Sequence, residues 1–361
     1  MKKNKTVLIS NLGLPYQGIG SWTYEINHFL ANNASIDVVL SPTDQPNSRF
    51  IFCKKKPWHK WHKINRNYFL KKWVAGEYIQ ALLKLGEAKH PLQILVIDDQ
   101  VLLEAVALIK QRLPPGSSIL FYYHGHSLSW SSSLQEKVDR VLFLTEQGYL
   151  DTIKNLERFT PRVHVLGNGI DPSLFFPISE SVKRERKVEM GWGSEDLVLV
   201  WMSNSRPVKG LHLFQQMIPY LLEINDSIRI LIIGNKESVS DHPRVVQTGL
   251  ISGEKVAYYL QMSDFYFFTS LWKEGFGLSL AEAAQCGNYI ITSANGGIPS
   301  VISEYPRCTL IHKPNVLEEW IEEFRSILEA NNWKTASLAN EGSDFYSLEA
   351  WEKRLLEILN N

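Results

Sequence analysis

Short, almost wholly apolar runs alternate along the chain with longer segments whose apolar residues recur every three to four positions. Thr6–Ser10, Ile36–Leu40, Ile94–Ile97, Ser118–Tyr123, Val141–Leu144 and Arg162–Leu166 are such runs, and they predict strands. Between them Trp22, Ile26, Phe29 and Leu30 fall at i, i+4, i+7 and i+8, one face of a helix. Val101, Ala105, Leu108 and Ile109 repeat the spacing. Strands that are apolar throughout, rather than alternating, suit a parallel sheet covered on both faces. Strand and helix in strict alternation mean βαβ units, and hence an α/β, doubly wound domain.

The pattern then restarts. Asn168 to Pro172 is a turn cluster, followed by the charged stretch Lys183 to Glu189 and by Gly191 and Gly193. Strands are predicted again at Leu197–Met202, Arg229–Ile233, Phe265–Thr269, Tyr289–Ser293 and Cys308–Ile311, with helices such as Lys209–Ile224 and Leu278–Cys286 between them. Two doubly wound domains are therefore expected, 1–170 and 171–345, with a linker near 168–195. A final amphipathic segment, with Leu348, Trp351, Leu355, Leu356 and Leu359 on one stripe, comes after the second sheet is complete.

Composition agrees. At roughly 100–200 residues per domain, 361 residues suit two. Hydrophobic residues at 44% and charged residues at 21% exclude a disordered chain, a collagen and a bare coiled coil. Net charge is zero, but residues 1–170 hold 21 Lys and Arg against 13 Asp and Glu, and residues 171–361 hold 17 against 25. The basic half favours an anionic surface. Cys53, Cys286 and Cys308 have unrelated spacings, neither a disulfide framework nor a zinc site, so a reducing, cytoplasmic compartment is expected. Val7-Leu8-Ile9 is too short for a signal-peptide core, and no run approaches the roughly 18 apolar residues of a membrane span.

Four stretches carry candidate chemistry. In Ser270 to Ala283 a strand ends, glycines Gly275 and Gly277 follow, and a helix begins near Leu278. Free amides at a helix start attract an anion, and glycines let a phosphate approach. Glu274 stands before the helix and Glu282 inside it; the plain alternative is a turn with two solvated glutamates. Ser203-Asn204-Ser205-Arg206-Pro207-Val208-Lys209-Gly210 also lies between a strand and a helix. Its two cations suit a diphosphate, whose charge they would neutralise as it leaves; otherwise it is a solvated basic turn. Gly18 and Gly20 join the first strand to the first helix, but no acidic residue closes the second strand, so the loop reads as a glycine-lined wall and not as an NAD site. Tyr123-His124-Gly125-His126 falls at the carboxyl end of a strand, where open α/β sheets bind ligands. No nucleophilic triad and no metal-ligand spacing can be placed.

Taken together, these stretches resemble the retaining, nucleotide-sugar-dependent glycosyltransferases of the GT-B fold, in particular family 4. Glu274-Gly275-Phe276-Gly277-Leu278-Ser279-Leu280-Ala281-Glu282 matches that family's E-x7-E signature. Val163 to Phe175 is similar to its interdomain segment, and Lys209 sits where it keeps a phosphate-binding lysine. The resemblance implies two Rossmann-like domains facing across a cleft, with nucleotide on the second, acceptor on the first, and the last helix (346–361) crossing back to the first. It implies that Glu274 contacts the donor sugar and Glu282 the ribose. It gives the diphosphate to the amides of Phe276, Gly277 and Leu278 and to Lys209, with Gly18, Gly20, Ser203, Asn204 and Gly275 lining the donor site. His124 would lie near the transferred sugar. No cofactor or metal is required for the chemistry, and the donor is expected to be a UDP-sugar. Two departures stand out: the family's arginine is Asn204 here, with Arg206 the nearest cation, and its Gly-Gly-x-x-Glu turn ends in Ser300.

From Gln45 to Gly76 there are nine bases and no acid, interleaved with Trp58, Trp61, Tyr68 and Trp73. Nucleic acid fits poorly with this fold and the acidic second half. An anionic membrane surface fits better, with Lys54, Lys55, Lys56, Lys71 and Lys72 as the charge and Trp58 and Trp61 at the interface; an acceptor grip is the alternative. The expectation is a peripheral, cytoplasmic enzyme that moves a sugar to a glycan or lipid-linked acceptor for cell-surface polysaccharide. A GT-B epimerase or hydrolase, and a non-catalytic glycan- or membrane-binding scaffold, are the rivals.

Overall fold

A computed structural model of the protein describes every residue except 1–3, 16–21, 59–64, 155, 157, 332 and 334–345. The chain forms two compact units, one of residues 1–167 with Glu352–Asn361 and the other of Asn168–Trp351.

The first unit holds seven strands: β1 (Lys5–Ile9), β2 (Val38–Ser41), β3 (Phe50–Phe52), β4 (Leu92–Ile97), β5 (Ser118–Tyr122), β6 (Arg140–Phe143) and β7 (Arg162–Val165). They form one parallel sheet in the order β3-β2-β1-β4-β5-β6-β7. The second unit holds β8 (Leu197–Met202), β9 (Ile228–Ile233), β10 (Val245–Gly249), β11 (Phe265–Phe268), β12 (Tyr289–Ser293) and β13 (Cys308–Ile311). These are also all parallel, in the order β10-β9-β8-β11-β12-β13. Central strands are buried along their length, β4 throughout and β11 throughout, as their all-apolar sequences require.

Two strands escape the hydrophobic pattern, β3 and β10, and both are sheet edges. An edge strand is covered less, so its run is shorter or more polar. Val245–Gly249 is only partly buried along its whole length. The helix expected from Lys209 begins at Leu211, because Pro207–Lys209 forms a 3₁₀ turn and Gly210 turns left-handed at φ 74°. A side chain at Gly210 would place its Cβ 2.0 Å from the Thr269 carbonyl oxygen, so only glycine fits.

The last helix, Leu348–Asn360, contributes to both units. At its start Leu348 donates to the Ile170 carbonyl at 3.0 Å. Its later residues belong with the first unit. Glu352 meets His28 at 2.7 Å, Arg354 Nε donates to the Leu166 carbonyl at 3.0 Å, and Gln93 Nε2 donates to the Leu359 carbonyl at 3.0 Å. Among the described residues no helix is long and apolar enough to cross a membrane.

Candidate active site

In an open parallel sheet, ligands bind outside the carboxyl ends of the strands where the winding reverses. In the second sheet that point lies between β8 and β11. The two loops that leave it are Ser203–Gly210 and Thr269–Gly277, two of the stretches singled out in the sequence. The loops are joined: the Leu271 amide donates to the Val208 carbonyl at 2.8 Å, and Thr269 Oγ1 donates to the Gly210 carbonyl at 2.9 Å. Ser293 Oγ and Asn295 Nδ2 both donate to the Ser270 carbonyl, at 2.6 and 3.0 Å. The Gly297 amide donates to the Glu274 carbonyl at 2.8 Å. Gly296, at φ 67°, passes so close to Glu274 that a Cβ would lie 2.5 Å from its carbonyl oxygen.

This framework sets the Glu274 side chain, which is buried. Oε1 pairs with Lys209 Nζ at 2.6 Å and accepts a hydrogen bond from Ser270 Oγ. Lys209 reaches it because Gly210 reverses the chain after the 3₁₀ turn.

The helix Leu278–Gln285 starts one step further on, with Gly277 as its left-handed cap at φ 83°. Its opening amides have no intrahelical partner, and among the described residues nothing accepts from the amides of Phe276, Gly277 and Leu278. The Phe276 ring is buried against Tyr346, with centroids 5.8 Å apart, so only its backbone is available to a ligand. Gly275 precedes it in the same loop. Glu282 stands inside the helix, half-buried, with no donor to its carboxylate among the described residues. Burial pushes that carboxyl up to about 8.

Arg206 is not brought to Glu274. It is exposed, and its amide and Nε donate to Asn204 Oδ1 at 3.1 and 3.3 Å. The cation beside Glu274 is Lys209 alone among the described residues. Ser203 is fixed by its amide, which donates to the Ile233 carbonyl at 3.1 Å. Ser300 lies in the short helix Ile298–Val301, which follows the Gly296–Gly297 turn.

In the first unit, the sheet winding reverses between β1 and β4. Gly18 and Gly20, in the loop after β1, lie outside the described residues. His124 follows β5. Its ring stacks on Trp22 at 4.8 Å and meets the Tyr122 ring at 4.0 Å between centroids. Its side chain is 7% exposed, and among the described residues neither ring nitrogen has a hydrogen-bond partner. Burial pushes its pKa down to about 3, so the ring is neutral. Its Nε2 lies 3.9 Å from Glu25 Oε1, which accepts from Tyr122 Oη at 2.9 Å. Glu25 is a buried acid that the sequence reading missed. Its one signal was an acid next to Ile26 on the apolar face of the first helix.

The basic segment is partly tied down. Lys55 pairs with Asp99, Lys56 sits 4.6 Å over the Trp73 ring, and Arg66 sits 5.7 Å over the Trp58 ring. Trp58 packs against the first core. Lys54 and Lys72 are exposed and Lys71 is half-buried, among the exposed rings of Phe52, Tyr68 and Trp73. Trp61 lies outside the described residues.

The two parallel α/β sheets make this a GT-B fold, and solved structures agree. Sucrose-phosphate synthase from Thermosynechococcus elongatus superposes with a TM-score of 0.73 at 17% identity, covering 99% of this chain and 98% of that one. HepE from Anabaena, solved with UDP, gives 0.74 at 15% identity over 99% of each chain. Residues 182–342, most of the second unit, match the family model described as Glycosyl transferases group 1. The phosphatidylinositol N-acetylglucosaminyltransferase GPI3 subunit of Saccharomyces cerevisiae is 24% identical over 237 residues, 62% of this chain and 51% of that protein. A GDP-mannose-dependent monoacylated alpha-(1-6)-phosphatidylinositol monomannoside mannosyltransferase of Corynebacterium glutamicum is 22% identical over 272 residues, 68% of this chain and 70% of that one. The chain spans about half the length of the first of these relatives.

Proposed function

We propose that the protein is a retaining glycosyltransferase that moves a hexosyl group from a nucleoside-diphosphate sugar to a glycan or lipid-linked acceptor. The observation that carries this reading is the grouping at the β8–β11 switch point: free amides at Phe276–Leu278, the Lys209–Glu274 pair, and the unpaired Glu282 carboxylate. Unfilled amides at a helix start suit a diphosphate. A lysine beside them suits the charge that builds on that diphosphate as the sugar leaves. Glu282 takes the ribose hydroxyls, and Glu274 acts on the sugar once Lys209 turns to phosphate. His124, neutral and with two open nitrogens, takes a hydroxyl of the transferred sugar. Lys209 supplies the cationic charge, so transfer proceeds without a bound metal and persists in EDTA.

UDP is the preferred nucleotide in this reading, supported by the UDP complex of HepE; the GDP-mannose-dependent relative makes GDP the competing choice. The relatives that act on phosphatidylinositol and its mannoside support an acceptor at a membrane. So do Lys54, Lys71 and Lys72 among exposed aromatic rings, which suit a peripheral site on an anionic cytoplasmic leaflet. Cell-surface polysaccharide synthesis is the process such a transfer serves.

The test is a thermal-shift screen of nucleotides and nucleotide sugars, followed by a product assay on the hit with and without acceptor. Stabilisation by one nucleoside diphosphate and acceptor-dependent sugar transfer are expected. Acceptor-independent turnover would instead indicate an epimerase or hydrolase, and nucleotide binding with no turnover a scaffold.

A further inference from the structure

Beneath the β8–β11 switch point stands a residue with no role in the reading above, Tyr266. The strand β11 reads Phe265-Tyr266-Phe267-Phe268 and is buried throughout, and Tyr266 carries its one polar side chain. The other three positions are phenylalanines, so packing alone asks for no oxygen here. A buried hydroxyl costs free energy unless it is bonded. Tyr266 Oη has two partners, Ser279 Oγ at 2.9 Å and the Met202 carbonyl oxygen at 3.2 Å. The phenol has one proton for these two oxygens, and the Ser279 hydroxyl can supply a second. Burial holds the phenol well above its ordinary value of 10, opposed by the Ser279 bond and reinforced by Glu282 and Glu274, so it stays protonated at neutral pH.

The two partners lie on opposite sides of the switch point. Met202 is the last residue of β8, one step before the loop that carries Lys209, and it lies past the last β8–β11 pair, Trp201 with Phe267. Ser279 is the second residue of the helix Leu278–Gln285 and follows directly on the amides of Phe276, Gly277 and Leu278. Among the described residues Ser279 Oγ has no other hydrogen-bond partner. Side chains two apart on a strand share a face. On this face Phe268 comes next, its ring 6.4 Å from that of Tyr266. A Cβ on Gly277 would stand 3.6 Å from the tip of the Phe268 ring, so Phe268 lies under Gly277 as Tyr266 lies under Ser279. Phe268 can only support the helix start; Tyr266 also bonds it. Amides hold an anion only when they point at it together, so a link that fixes this first turn against β8 bears on the anion site itself.

We infer that Tyr266 is a positioning residue for the nucleotide site: through Ser279 Oγ and the Met202 carbonyl it fixes the start of the helix Leu278–Gln285 against the end of β8, and so aims the Phe276–Leu278 amides at a diphosphate. This rests on the glycosyl-transfer reading and adds to it a residue that touches no substrate. Tyr266 moves no proton in this assignment and acts only through Ser279.

The experiment uses the full chain and the nucleoside diphosphate found by the screen. Tyr266→Phe and Ser279→Ala remove the bond from its two ends, and Ser279→Thr keeps the hydroxyl. Circular dichroism and Tm check folding; should the buried Tyr266→Phe fail to fold, the half-buried Ser279 variants decide. By calorimetry the Kd of the nucleoside diphosphate rises about fivefold or more in Tyr266→Phe and in Ser279→Ala, the size of one hydrogen bond. It stays within twofold in Ser279→Thr. The double variant binds no worse than the weaker single one, because both remove the same link. The corresponding nucleoside, which lacks the diphosphate, keeps its Kd within twofold in a saturation-transfer NMR titration. A merely structural loss would weaken both ligands alike, so equal weakening of nucleoside and diphosphate overturns the proposal. So does a smaller rise in either folded single variant, or losses that add in the double one; each of these leaves the glycosyl-transfer reading standing. A wild type that binds no nucleoside diphosphate overturns that reading and this proposal with it.

Discussion

Lys209 Nζ and Glu274 Oε1 lie 2.6 Å apart, so the cation that the proposed function gives to a diphosphate and the acid that it gives to a sugar neutralise each other. Both side chains are largely buried, at 14% and 12% exposure, where an unpaired charge is costly. The pair explains how two charged residues are kept beside a group of open amides without destabilising the sheet edge. In the proposed function, nucleotide binding exchanges one partner for another and leaves Glu274 free at the sugar.

Removing one partner should therefore show in stability as well as in binding. Lys209→Ala leaves the Glu274 carboxylate buried with only Ser270 as a donor among the described residues, and stability in urea should fall by about 3–5 kcal/mol. Adding Glu274→Gln to that variant should recover much of the loss. A double variant no more stable than Lys209→Ala would mean the pair is not the source.

Glu282 gives a prediction in each direction of its charge. Read by calorimetry above pH 8.5, where its carboxyl is ionised, Glu282→Ala should weaken nucleotide affinity by about 1.5–3 kcal/mol, the range for a hydrogen bond to a charged group. Its folded pKa, about 8, lies above its ordinary value of 4.5. The folded state thus holds a proton that the unfolded chain releases, and stability from this group is full below pH 4.5 and lost as pH rises through 8. Glu282→Gln should raise Tm at pH 8.5 relative to wild type and change it little at pH 4.5. A Tm difference independent of pH would contradict the burial argument.

His124 shifts the opposite way. Its folded pKa, about 3, lies below the ordinary 6.5, so the stability it lends is present above pH 6.5 and is lost as pH falls toward 3. Between pH 6.5 and 5 the wild type should lose about 2 kcal/mol more than His124→Asn, at 1.36 kcal/mol per unit. Parallel urea curves for the two proteins at both pH values would refute this.

The basic segment predicts a salt-sensitive membrane contact. The wild type should bind liposomes only when they contain acidic lipid, and release them as salt rises, because exposed charges are screened within about 8 Å at physiological ionic strength. Replacing Lys54, Lys71 and Lys72 by glutamate should abolish flotation with such liposomes and leave nucleotide affinity unchanged. Wild-type protein that stays free of acidic liposomes at low salt would make the segment an acceptor grip or a solvated face.

What could be read in the sequence follows from what periodicity records. Strands buried on both faces, such as Leu92–Ile97 and Phe265–Phe268, are apolar along their length and announce themselves. Phe50–Phe52 and Val245–Gly249 do not, because the first is only three residues long and the second ends in Gln247-Thr248-Gly249. The turn and helix start at Gly277–Leu278 were legible because a helix start needs glycine and open amides in a fixed local order. Glu25 was not, since its place in the structure comes from partners distant in the chain, Tyr122 and His124. Likewise the two cations of Ser203–Gly210 looked alike in sequence, and only the folded loop distinguishes half-buried Lys209, paired with Glu274, from exposed Arg206.

The central claim is that Glu274 serves sugar transfer from a nucleotide bound beside it. It is tested most directly by proton NMR of the reaction mixture, which follows donor loss and the anomeric configuration of the product for wild type and Glu274→Gln together. The account predicts that the wild type transfers the sugar with its anomeric configuration retained, and that Glu274→Gln binds the nucleotide with near-normal affinity yet loses most turnover. Inversion at the anomeric carbon, or near-normal turnover by Glu274→Gln, would contradict it.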